Sequence, residues 1–109
     1  MAICSPDLAP VFAALSDPTR MAVVERLCRG PASVSDLARP HAMAGPSFLK
    51  HLKVLEEAGL VASTKSGRVR TVALVPQRLD EIEGWVRRHR AAWEARLDRL
   101  GSFLERDTQ

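Results

Sequence analysis

A chain of 109 residues with 46% hydrophobic side chains suits one domain burying roughly two thirds of its unfolded surface, which leaves no room for a deep active site beside a second domain. No run approaches the roughly 18 apolar residues of a membrane span, and the first residues lack the basic start and apolar stretch of a secretion signal, so a cytoplasmic protein without membrane contact is expected. The formal charge of +3 decides little by itself, because the placement of the cations is what creates a binding field.

In chain order, Val11, Phe12 and Leu15 recur at helical spacing after Pro10 and predict a short first helix. Ser16-Asp17-Pro18 reads as a stop and a restart. The Asp17 carboxylate can accept from orphan backbone N–H groups, and Pro18 suits a first helical position, where it sacrifices no hydrogen bond. Met21, Val24, Leu27 and Cys28 then form the apolar stripe of a second helix that Gly30-Pro31 closes. Ser33 and Asp36 have capping-box spacing and open a third helix with Val34, Leu37 and Ala38 inward, ended by Pro40. A turn through His41 to Gly45 leads to Pro46 and a fourth helix. There Phe48, Leu52 and Leu55, with Leu49 as a further candidate, face inward, and Lys50, Lys53, Glu56 and Glu57 face out. Gly59 stops it.

The periodicity then changes to β-prone runs, Leu60 to Thr64 and Val69 to Val75, about a turn at Lys65-Ser66-Gly67-Arg68. Ser66-Gly67 marks a hairpin, since such turns need a residue that accepts positive φ. After Pro76 a long helix runs from about Gln77 to Leu104, with Leu79, Ile82, Val86, Trp93, Leu97, Leu100 and Leu104 spaced by threes and fours except around His89 and Arg90. The expected fold is mainly α with a small β-hairpin, in the order α-α-α-α-β-β-α. It forms a single domain over 1–109, with a core at 8–75 and a C-terminal helix at 77–104.

A short helix, a tight turn, a second helix with basic outward residues and a hairpin directly after it make a winged helix-turn-helix. The major groove of DNA admits one α-helix, whose N-terminal residues meet the base edges. Here these are Gly45, Pro46 and Ser47, with Lys50 one turn on. Ser47 discriminates weakly, Lys50 can reach guanine O6 and N7 or a phosphate, and Lys53 suits the backbone. Lys65, Arg68 and Arg70 make a cationic tip read as free of nearby acid. From Lys50 to Arg70 five basic residues stand against two acidic ones, a patch able to neutralise phosphates. Lysines on one helix or at one hairpin tip usually serve as a solvated face, so the conjunction carries the argument. His41 and His51 can each touch phosphate or be satisfied internally.

The two cysteines, Cys4 and Cys28, share no metal-ligand spacing. Cys28 falls on the buried stripe as a packed thiol, with a Cys4–Cys28 redox switch as the alternative, Arg26 and Arg29 flanking. Trp85 and Trp93, eight positions apart, share nearly one helix face and favour helix-to-helix packing between two copies over a small-molecule pocket. Arg87, Arg88 and Arg90 read as a solvated basic run.

Phe12-Ala13-Ala14-Leu15-Ser16-Asp17-Pro18-Thr19-Arg20 resembles the opening signature of the ArsR/SmtB family of bacterial repressors. His51-Leu52-Lys53-Val54-Leu55-Glu56-Glu57-Ala58-Gly59-Leu60-Val61 resembles the end of that family's recognition helix and the start of its wing, and Gly67-Arg68-Val69-Arg70 its wing tip. The match runs over residues 8–75. It implies a homodimeric repressor released from operator DNA by an inducer, dimerised through its first and last helices. That would bring Val11, Phe12 and Leu15 together with Trp85, Trp93, Leu97 and Leu100. Two departures stand out. Ser33-Val34-Ser35-Asp36-Leu37 has no cysteine where many members carry a metal-sensing pair, and the last helix has His89 alone, whereas zinc or arsenic capture needs three or four convergent ligands. No metal or cofactor is therefore expected. Leu49 stands where small polar residues are common.

The expected function is promoter occlusion on an inverted-repeat operator in double-stranded DNA, without enzymatic activity. The alternatives are a non-specific architectural DNA-binding protein and a protein-interaction module on the winged scaffold.

Overall fold

A computed structural model of the chain describes residues 7–107, and Cys4 lies outside them. The elements are α1 (Ala9–Leu15), α2 (Pro18–Leu27), β1 (Ala32–Ser33), α3 (Val34–Ala38), α4 (Gly45–Glu57), β2 (Val61–Ser66), β3 (Val69–Leu74) and α5 (Pro76–Asp107). The chain divides into two compact units, one ending at Leu79 and the other beginning at Asp80.

In the first unit, each helix start follows from local chemistry. Asp17 Oδ2 accepts from the backbone N–H of Thr19 at 2.9 Å and of Arg20 at 3.1 Å, with Pro18 behind it at the first helical position. Ser33 Oγ accepts from the Asp36 N–H at 3.1 Å. That is one half of the expected capping box, and the Asp36 carboxylate is engaged by Arg39 at 2.7 Å. Gly59, at φ 77°, takes the left-handed conformation that lets α4 stop abruptly. Packing of α1, α2 and α4 on one another and on the sheet buries Phe48, Leu52, Leu55 and Leu60 to 1% exposure or less, each worth roughly 1.5–3 kcal/mol of transfer free energy.

The sheet holds a strand that the sequence did not announce. β1 pairs antiparallel with β3, Ala32 opposite Val72 and Ser33 opposite Thr71, giving the order β1-β3-β2. Two residues are too few for a period-2 signal, and only the fold brings them to the hairpin. The consequence is mechanical: the start of α3 is fastened to the central strand of the wing. The hairpin is also longer and tighter than expected, because Lys65 and Ser66 belong to β2 and pair with Arg70 and Val69. The turn is Gly67-Arg68 alone. Gly67 has φ 61°, and among the described residues no residue other than glycine has positive φ, the arrangement of a type II′ hairpin turn.

Three buried-face expectations are corrected. On α2 the inward residues are Val23, Val24 and Leu27, whereas Met21 is 41% exposed and Cys28 is an exposed thiol at the C-cap. α2 packs on α1, α4 and β3, and this inward face, centred on positions 23, 24 and 27, turns Met21 and Cys28 toward solvent. Leu49 is 46% exposed, since Phe48, Leu52 and Leu55 already fill the inward stripe of α4. Val11, assigned to a subunit interface, is only 1% exposed within its own protomer. On α1 the residues Val11 and Ala14 face the core, and Phe12 lies on the outer side.

The second unit is the long helix from Asp80 onward. Trp93, Leu97, Leu100 and Leu104, spaced by four, three and four, are 52–60% exposed, and Trp85, Val86 and Phe103 are exposed too. Ion pairs one turn apart, Arg87 with Glu83 and Arg90 with Glu94, line other positions of the same helix. The Arg96 guanidinium lies 5.5 Å from the Trp93 ring centre, and Trp85 stands 4.4 Å from His89, ring to ring.

Candidate nucleic-acid interface

α4 begins at Gly45 with Pro46 in its first turn, and its N-cap residue, Ala44, contributes no side-chain hydrogen bond. The first-turn N–H groups of an α-helix have no intrahelical partner, and Gly45, Pro46 and Ser47 are all exposed. One turn on, Lys50 is exposed as well. Lys53 is exposed and lies 4.0 Å from Glu57, an i,i+4 pair that solvent screens heavily. On the wing, Lys65 and Arg68 are exposed.

Arg70 differs from the other two wing cations. Its Nη2 reaches Glu56 Oε1 at 2.7 Å and its Nε reaches Ser63 Oγ at 2.9 Å, while Ser63 Oγ donates to the same Glu56 oxygen at 2.9 Å. The expectation of a wing tip without a nearby acid is overturned: a glutamate fourteen positions earlier reaches it, because α4 packs beside β2. This closed triangle braces the wing against the helix and neutralises one of the three cations. Lys65, Arg68 and Arg70 nevertheless line, with Ser33, Ser35, Leu49, Ser63 and Val69, a groove of about 690 Å³ between α4, the start of α3 and the hairpin.

His51 is held on the opposite flank of α4. Arg20 Nη1 lies 3.0 Å from His51 Nδ1, and Arg20 Nε donates to the Ala14 carbonyl at 2.7 Å, so one guanidinium ties α4 to α1 and α2. A guanidinium has no acceptor, so Arg20 is the donor in this contact. Asp17 Oδ2 stands 3.7 Å from the same nitrogen. The Arg20 N–H above all, and then the nearby His51, the Thr19 N–H and the Arg20 charge, hold the Asp17 carboxyl below its ordinary value, against the opposing push of desolvation. His51 is thus built into the scaffold, the internal alternative that its sequence position left open. His41 stacks on Phe48 at 5.6 Å between ring centres.

Among the described residues no three His, Cys, Asp or Glu side chains converge in a way that could hold a metal ion, and no helix is long and apolar enough to cross a membrane.

A helix-turn-helix domain model matches residues 15–64, from the end of α1 into β2. A crystal structure of an ArsR family transcriptional regulator superposes with a TM-score of 0.78 at 47% identity, covering 86% of this chain and 97% of that one. The chain belongs to the ArsR family of transcriptional regulators. An ArsR-like transcriptional regulator from Rhodococcus sp. RHA1 gives a TM-score of 0.73 at 36% identity over 85% of this chain and 88% of that one. The HTH-type transcriptional regulator Rv2034 of Mycobacterium tuberculosis is 46% identical over 72 residues, 66% of this chain, and the matched part spans 65% of that relative's length. The family is one of regulators and not of enzymes.

In this ArsR-family chain Ser33, the first residue of the cysteine-free stretch that runs to Leu37, joins Ala32 in fastening the start of α3 to the wing through the β1–β3 pairing. The Glu56–Ser63–Arg70 triangle and the Arg20–His51 bond were not foreseen. Each joins residues distant in sequence, and no periodicity reports such a contact.

Proposed function

We propose that this ArsR-family regulator represses transcription in the cytoplasm as a homodimer, each protomer laying α4 in the major groove of one half of an inverted repeat and its wing along the flanking backbone. The observation that carries this reading is the solvent-facing set Pro46, Ser47, Lys50 and Lys53 on α4, continued by Lys65 and Arg68 on the hairpin. A helix of groove-fitting width flanked by cations is what duplex recognition requires. Ser47 and Lys50 meet base edges, Lys53, Lys65 and Arg68 meet phosphates, and His51 and Arg70 position the helix and the wing.

The exposed stripe of Trp93, Leu97, Leu100 and Leu104 supports pairing of two α5 helices, joined by Trp85 and by Phe12 and Leu15 of α1. Large exposed apolar stripes at helical spacing mark association surfaces. Such a dimer would present its two α4 helices about one turn of DNA apart, and binding over a promoter would exclude polymerase.

The test is binding to DNA from upstream of the protein's own gene, beside random duplex at the same salt. The expected result is tighter binding to upstream DNA, with Lys50→Ala eroding the preference, and Arg68→Ala weakening both duplexes alike and flattening the salt dependence. Equal affinity for every duplex would indicate an architectural protein. No salt-dependent binding would indicate a protein-interaction module.

A further inference from the structure

Leu49 is a large apolar side chain, 46% exposed, in the first half of a helix whose other exposed residues there are Gly45, Pro46, Ser47 and Lys50. Its direction is fixed by its neighbours. Seven residues on, about two helical turns along the same flank, Glu56 grips Arg70 of the wing. Leu49 therefore points along the wing side of α4, into the groove that it lines with Lys65, Arg68 and Val69. Val54, the other exposed apolar residue of this helix, lines a separate depression with Pro10, Ala13 and Ala14 of α1.

The groove's hairpin wall carries Lys65 and Arg68 beside Val69, and the start of α3 contributes Ser33 and Ser35 beside Val34; the lysine, the arginine and the two serines are partners for a phosphodiester backbone. The α4 wall carries an alkyl group. A DNA strand lying there with its phosphates on the basic wall turns base edges toward α4. Among the four bases only thymine offers an apolar group in the major groove, its C5 methyl. We propose that Leu49 is a specificity-determining residue that packs on a thymine methyl in each operator half-site. The inference rests on the operator reading above and adds to it one base at one position, read by apolar contact rather than by hydrogen bonding.

The experiment replaces each thymine of the bound upstream fragment in turn by uracil, which removes the methyl and keeps the pairing. Withdrawing one methyl-sized group from an apolar contact costs about fourfold in affinity, hence roughly 15-fold when both half-sites are altered. Wild type should show that loss at one symmetry-related pair of thymines. Leu49→Ala should bind the unmodified fragment correspondingly more weakly and become indifferent to uracil at that pair. Leu49→Met should keep the dependence, and so should Val69→Ala. Circular dichroism on each variant confirms the fold, which an exposed position leaves intact. Operator binding without a methyl-sensitive thymine overturns the contact alone, as does a dependence that survives Leu49→Ala or vanishes in Val69→Ala. A wild type that binds all duplexes alike overturns the operator reading and the contact together.

Discussion

The Glu56–Ser63–Arg70 triangle makes a prediction with two signs. Glu56→Ala removes an acceptor shared by Ser63 and Arg70. The Arg70 and Glu56 side chains are 41% and 28% exposed, so solvent screens the pair and its loss should cost about 1 kcal/mol, or about 4 °C in melting temperature for a chain this size. DNA affinity should move the other way. One carboxylate disappears and one guanidinium is released beside Lys65 and Arg68, giving each protomer one more cation able to meet phosphate. Each such contact steepens the logarithmic salt dependence by about 0.9, so a dimer should steepen by about 1.8. Between 1 M and 0.1 M salt that amounts to roughly 60-fold in affinity for random duplex. The assay is fluorescence anisotropy of a labelled random duplex across a potassium chloride series, with urea unfolding in parallel. A less stable variant whose salt slope equals wild type would refute the reasoning, because the brace would then be withholding no charge from DNA.

Other outcomes follow from the same geometry. Asp17 has a lowered folded-state pKa, so the folded state binds fewer protons. Its contribution is complete above the ordinary carboxylate value of 3.8 and is lost as pH falls through the lower folded value. Asp17→Asn keeps a capping side chain and should flatten the acid limb of urea-unfolding stability below about pH 4, and an unaltered limb would count against the assignment. Leu55→Ala, at a fully buried position of α4, should cost about 2–5 kcal/mol in urea unfolding, whereas Leu49→Ala should change stability by less than about 0.5 kcal/mol. Trp93→Glu and Leu97→Glu, on the exposed stripe of α5, should shift sedimentation from dimer to monomer and weaken operator binding, and dimers that persist in both would remove α5 from the interface.

Local chemistry alone placed most of the elements. Helix starts and stops are decided within four or five residues, by an acceptor such as Asp17 or Ser33, a proline at a first turn, or Gly30 and Gly59 at positive φ, and such signals are complete in the sequence. The β-prone run from Val69 and the glycine at 67 likewise announced the hairpin. The fold class and a basic helix followed by a basic wing were therefore legible. Contacts between distant positions were not. Nothing near Ala32 predicts Val72 opposite it, nothing near Arg70 predicts Glu56, and the Arg20–His51 bond spans 31 positions. Tertiary packing decided which way each helix turned, sending Leu49, Met21 and Cys28 outward and Val11 inward. A helical repeat fixes the spacing of an apolar face and leaves its precise orientation to the partners it meets.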